Sequence, residues 1–202
     1  MQADATPGGP GTVLPPSEGA KWIPTIGVFL VIAFVVLGGY VVAGESQEFD
    51  VGQDSVPGEP VQVTDGVTVT PPEGWEVTQR YADPPGVLLT WGTGNLLVVV
   101  PAIDATPEEL LQVYLDQVLE PQATQVSVST KRLDLVLPYG EAVRTSYVGQ
   151  FEGVASTIEG ELTAAVSPGG TDVMFDSWSS QGQYVAVRQD VRQVVAGTEV
   201  GS

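Results

Sequence analysis

VQVTDGVTVTPPEGWEVTQRY, residues 61–81, decides the fold. On either side of Asp65-Gly66 every second residue is Val, and a period of two sets one row of side chains on each face of a strand. Asp-Gly between two such runs suits a tight hairpin. Pro71-Pro72-Glu73-Gly74 breaks the pairing before Trp75, and a further strand is expected from Glu76 to Tyr81.

Toward the C-terminus, strands are expected at Val87–Trp91 and Leu96–Val100, joined by Gly92-Thr93-Gly94-Asn95. The run LLVVV is apolar without alternation, which predicts a central strand covered on both faces. A helix follows with explicit start signals. Thr106 is its N-cap, Pro107 stands in the first turn and Glu109 completes a Thr-x-x-Glu capping box. Leu111, Leu115 and Leu119, with Leu110, Tyr114 and Val118 beside them, make a broad apolar stripe fit to lie on a sheet, and Pro121 is expected to end it. Strand patterns return at Val126–Leu137, Ala142–Phe151, Val154–Val166 and Val173–Trp178, with turns at Pro138-Tyr139-Gly140 and Ser167-Pro168-Gly169-Gly170. A last helix over Gln183–Val195 sets Tyr184, Val187, Val191 and Val194 or Val195 on one face. Strands, helix, strands, helix without βαβ alternation indicate α+β, an antiparallel sheet with helices packed on it.

GVTVTPPEGWEV (66–77) and GEAVRTSYVGQFEGV (140–154), with the closing helix, resemble the PsbP-like family, the Mog/PsbP type of α/β/α sandwich. The resemblance spans Val61 to Val195. It implies an antiparallel sheet of about six strands sandwiched by helices. It also implies an accessory or binding module without catalytic activity, since the family is mostly noncatalytic, and many bacterial members are exported or membrane-tethered. Fold alone does not assign function.

N-terminal to this domain, Trp22–Gly44 contains no charged residue. At about 1.5 Å per residue it reaches about 34 Å as a helix, enough for a hydrocarbon core of about 30 Å. Trp22 and Tyr40 stand near its ends, where aromatic rings favour the interface. Lys21 precedes the span and no Lys or Arg follows it until Arg80, so the N-terminus is expected in the cytoplasm and the domain outside the cell membrane. Val41-Val42-Ala43 has the small-residue look of a signal cleavage site. The apolar run exceeds the roughly 7 to 15 residues of a signal, so a retained anchor is expected. The expected organisation is a disordered cytoplasmic tail (1–21), a transmembrane helix (22–44), an acidic linker (45–60) and an extracytoplasmic domain (61–198).

Composition narrows the chemistry. Asp and Glu number 25 against 7 Lys and Arg, for a net charge of −18, a field that repels nucleic-acid phosphates. No His and no Cys removes the usual general base, metal ligand and disulfide staple. Gly92-Thr93-Gly94 precedes a strand, so it lacks the helix N-terminus of a phosphate loop. Ser127 and Ser129 near Lys131 read as a solvent-facing row. Asp172 and Asp176 share one strand face, as do Glu159 and Glu161. All four are expected on exposed polar faces, with a carboxylate-dependent hydrolase of the envelope as the alternative if they converge within about 10 Å.

No catalytic residue, cofactor or metal is expected. The expected role is recognition of an envelope protein or a small apolar ligand, with Trp75, Tyr81, Trp91, Tyr139 and Trp178 as candidates to line a groove. A single-pass subunit of a membrane assembly is a further alternative, since Gly38-Gly39 and Gly44 permit close helix approach.

Overall fold

The Val alternation around Asp65-Gly66 folds as a hairpin. Strands β1 (Val61–Thr64) and β2 (Val67–Val69) pair antiparallel with Val61 opposite Val69. The computed structural model describes residues 58–201, so the expected tail, membrane span and most of the linker lie outside the described residues. No helix among the described residues is long and apolar enough to cross a membrane.

The main sheet is antiparallel throughout. Its strands are β3 (Glu76–Ala82), β4 (Pro85–Trp91), β5 (Gly94–Val99), β6 (Ala123–Val128), β7 (Leu133–Leu137), β8 (Gly140–Phe151), β9 (Ile158–Val166) and β10 (Asp172–Ser180). They lie in the order β3-β4-β5-β10-β9-β8-β6, with β7 also paired to β8. The sheet therefore has eight strands where about six were expected.

One added strand comes from the run Val126–Leu137, which divides in two. Val128 faces Tyr147 and Leu133 faces Arg144, so residues 129–132 bulge out of the ladder. Thr145 holds the bulge. Its hydroxyl donates to the Ser129 carbonyl at 3.0 Å and accepts from Arg132 Nη1 at 2.7 Å. The hairpin β1-β2 stays out of the main sheet and, with the C-terminal β11 (Glu199–Val200), forms a three-stranded sheet of its own.

Helix α1 opens at Pro107–Tyr114, widens into a π turn over Leu115–Leu119 and closes with Glu120–Gln122. The capping box forms as expected, Thr106 Oγ1 accepting from the Glu109 N–H and Glu109 Oε2 from the Thr106 N–H. Pro121 does not end the helix. A proline has no N–H for the carbonyl four residues back and crowds it, and the wide turn, in which the Glu120 N–H reaches the Leu115 carbonyl, lets the chain run on to Gln122. Helix α2 (Tyr184–Gly197) receives its N-terminal cap from β9, where Glu159 Oε1 accepts the N–H groups of Gly182 at 2.9 Å and Tyr184 at 3.1 Å.

The helices lie on opposite faces of the sheet. β5 shows why LLVVV does not alternate in polarity, since Leu97 and Val99 enter the core under α1 while Leu96 and Val98 enter the core under α2 and β1-β2. The sheet is thus the middle layer of three, and polar residues midway along its central strands, such as Asp176, Ser177 and Thr163, are buried on either face.

Candidate functional site

Four carboxylates expected on exposed faces are the natural place to look for chemistry, and that expectation is corrected. Asp172, Asp176 and Glu161 are buried, with Asp176 only 7% and Glu161 8% exposed. Period-two alternation separated the faces correctly but could not tell that both were covered.

Asp176 sits on the α1 face of β10. Tyr114 of α1 donates its hydroxyl to Oδ2 at 2.8 Å, and Tyr147 of β8 donates to Oδ1 at 2.8 Å. Burial raises the carboxyl to about 6, opposed by these two donors. Burial and the facing carboxylate push both tyrosines well above their ordinary range. Beside the triad is a cavity of about 30 Å³ lined by Leu97, Val118, Trp178 and Gln122 among others. That is room for roughly one or two water molecules. Asp172, at the start of the same strand, caps a loop through Oδ2, which accepts from the N–H groups of Ile103 at 3.3 Å and Asp104 at 2.9 Å. Burial raises its carboxyl, and those N–H groups oppose the shift.

Glu161, on β9, points to the other face. It lies opposite Ser177, one residue along from Asp176, and successive residues face opposite ways. Arg192 forms a fork with it, Nη2 to Oε1 at 2.7 Å and Nε to Oε2 at 3.2 Å. Arg188 Nε approaches Oε1 at 3.3 Å, and Arg144 Nε approaches Oε2 at 3.9 Å while donating to Thr163 Oγ1. The Arg144 guanidinium is lowered by burial, against the pull of Glu161. Arg188 also lies over the Tyr184 ring, 5.4 Å from its centre.

The four acids therefore do not flank a common space. Asp172 and Asp176 are four residues apart on one face, roughly 13 Å along an extended strand, while Glu159 and Glu161 belong to the opposite face. Among the described residues no three carboxylates gather as a metal site would require.

The five aromatic candidates are dispersed. Trp178 lines the cavity and Tyr81 packs at the edge of the same core. Trp75 and Tyr139 are buried in the core beneath α2, where Tyr139 donates to the Val195 carbonyl at 2.8 Å. Trp91 is exposed at the end of β4 and lies against Gly74, where a Cβ would come within 2.9 Å of the indole nitrogen and φ is +92°. Ser127 and Lys131 are exposed near the outer edge, and Gly92-Thr93 forms the β4–β5 turn, with Gly94 opening β5.

Sequence reading missed Tyr147 and the three arginines. Arg188 and Arg192, four residues apart, fall on one helix face, and that spacing was the available signal.

No family model and no curated protein matches the chain. Solved structures do. The solution structure of cyanobacterial PsbP (CyanoP) from Synechocystis sp. PCC 6803 matches at TM-score 0.52 and 14% identity over 78% of this chain and 98% of that one. The Ran-binding protein Mog1p of Saccharomyces cerevisiae matches at 0.51 and 12%, covering 72% and 96%. LpqN, involved in cell envelope biogenesis of Mycobacterium tuberculosis, matches at 0.50 and 13%, covering 74% and 91%. At such identities the likeness speaks for the fold, and the chain has the PsbP/Mog1-like fold.

Proposed function

We propose that this chain is a noncatalytic binding module whose PsbP/Mog1-like domain recognises another protein of the cell envelope. Its domain stands outside the cytoplasm on the anchor formed by residues 22–44, with the N-terminus inside. One observation carries the reading. The buried acids are each engaged by the fold's own groups, with Asp172 and Asp176 roughly 13 Å apart on one face and Glu161 on the other, so no pair of them flanks a substrate as hydrolysis requires. Between the two expected ligand classes, the cavity beside Asp176 favours a protein. At about 30 Å³ it is far smaller than the roughly 300 to 1,000 Å³ of a small-molecule site. The neighbours agree in kind, one being a Ran-binding protein and another taking part in envelope biogenesis. The anchor rests on the uncharged run after Lys21.

The test is photo-crosslinking of the full chain in its native membrane, with the reactive side chain moved from one exposed position to another. Saturable adducts to a protein partner from a contiguous set of positions are expected. Monomer alone at every position would overturn the reading. Protease added to intact spheroplasts should remove the domain, and complete protection would overturn its placement.

A further inference from the structure

At one end of the sheet the two faces are unequally covered. On the α1 side Val143, Tyr147 and Phe151 of β8 are buried in the core. On the α2 side the intervening Ser146, Val148 and Gln150 are exposed, as are Gln125 and Ser127 of β6, their neighbours across the ladder. Arg144, Ser146, Val148 and Gln150 thus form a stripe along β8 about 20 Å long, at roughly 3.3 Å per residue. Exposed Leu133 of β7 lies beside its Arg144 end.

The charges of this chain are not evenly spread. Of the six Lys and Arg among the described residues, only Arg80 lies at the far edge. Lys131 and Arg132 occupy the bulge, and Arg144, Arg188 and Arg192 converge at the head of the stripe. Two acids of β9 border the stripe, Glu161 opposite Ser146 and Glu159 opposite Val148. Glu161 is the shared partner of the three arginines, and Glu159 accepts from the Gly182 and Tyr184 N–H groups. Each guanidinium carries five N–H donors, more than one carboxylate accepts from three of them. The side chains of Arg188 and Arg192 are 42% and 44% exposed, so their outer forks are open to a second carboxylate.

We infer that this stripe is the docking surface for a protein segment rich in Asp and Glu, laid along β8 with a carboxylate on Arg188 and Arg192. The inference rests on the reading of the domain as a protein-binding module. Charge complementarity selects an acidic occupant, and planar guanidinium forks match carboxylates in particular. The rest of the stripe selects a polypeptide over a lipid headgroup or a small anion. Gln125, Ser127, Ser146 and Gln150 offer hydrogen bonds and Val148 and Leu133 apolar contacts over several residues' length. The chain's overall charge of −18 does not forbid this, because exposed charges farther than about 8 Å are largely screened at physiological salt.

The experiment uses the full chain in its native membrane with a photoreactive side chain at position 148 or, for comparison, at position 136, an exposed position on the other face of the edge. The expected adduct at position 148 is a peptide in which Asp and Glu outnumber Lys and Arg. Its yield should fall about tenfold or more in the double variant Arg188→Ala, Arg192→Ala. The single variant Ser127→Glu, which adds a carboxylate to an exposed site across the ladder from Val148 and away from Glu161, should lower it similarly. Adducts to lipid, adducts to a segment without acidic excess, or a yield indifferent to both variants would overturn the proposal. Adducts confined to position 136 would overturn this surface while leaving the binding module standing, whereas none at any position would bring down both.

Discussion

Asp176 and Glu161 stand on neighbouring strands, separated by the thickness of one sheet, and they are held in opposite ways. Asp176 meets two neutral hydroxyls in a closed apolar core. Glu161 meets three cations at a margin where two of them reach solvent. Neutral donors offset only part of the cost of burying a charge, so the Asp176 carboxyl rises to about 6. The difference teaches that the fate of a buried acid is set by what packs on its face. It also separates a face that is finished internally from one that retains donors for a partner.

The comparison breaks most sharply at Glu161. Glu161→Ala would leave three guanidiniums facing one another, one of them, Arg144, with its side chain only 11% exposed. Stripping the partner from a buried cation costs about 3 kcal/mol. Urea unfolding should show a loss of that order, with Glu161→Gln recovering part of it through the remaining hydrogen bonds. A loss below about 0.5 kcal/mol would mean that the arginines are solvated and the cluster is ornamental to stability.

On the other face, Tyr147→Phe removes one of two donors to Asp176 at almost constant shape. A hydrogen bond to a charged group contributes about 2 kcal/mol, and a loss of that order is expected near pH 8. The carboxyl should rise further, because a group favouring its charged form has gone. NMR titration of the Asp176 carboxyl carbon checks the direction, and an unchanged midpoint would deny that the tyrosine stabilises the anion.

The pH dependence distinguishes the faces more finely. Because the Asp176 carboxyl is raised in the fold, the native state holds its proton where the unfolded chain has lost it. Its contribution to stability therefore falls as pH rises from about 4 through about 6 and is level above. Going from pH 7 down to pH 5 should restore about 1 kcal/mol through this group. Asp172, also raised by burial, acts in the same sense. The informative quantity is the difference between wild type and Asp176→Asn, in which the variant should lose that gain. Parallel stability curves for the two proteins would show that Asp176 is not raised.

These contrasts explain what could be read from the chain. The capping box at Thr106, the doubly covered LLVVV strand and the Asp65-Gly66 hairpin depend on residues within a few positions of one another, and all three appear in the structure. The break at 129–132 is marked by four consecutive polar residues, across which the apolar positions shift from Val126 and Val128 to Leu133, Leu135 and Leu137, but the side chain that holds it, Thr145, lies more than a dozen residues on. The burial of Asp176 depends on Tyr114, 62 residues earlier. Strand alternation looks the same whether the far side is water or a helix, so it could not report that α1 lies there. The spacing of Arg188 and Arg192 was legible on one helix, but the acid they share lies 31 residues before Arg192 on β9.

The smallest expected effect tests the open side of the comparison. Arg188 contributes one contact to Glu161 at 3.3 Å and lies over the Tyr184 ring, but nearly half its side chain is in water. Exposed ion pairs are screened and contribute about 0.5 kcal/mol, and the ring contact adds a similar amount at such a site. Arg188→Ala alone should therefore cost no more than about 1 kcal/mol, and the cost should shrink as salt rises from 0.05 to roughly 0.5 M. Arg192, which holds both carboxylate oxygens, should cost more and depend less on salt. If Arg188→Ala instead matched Glu161→Ala in magnitude, Arg188 would be committed to the fold and could not spare donors for a partner. The two faces would then differ in chemistry but not in openness.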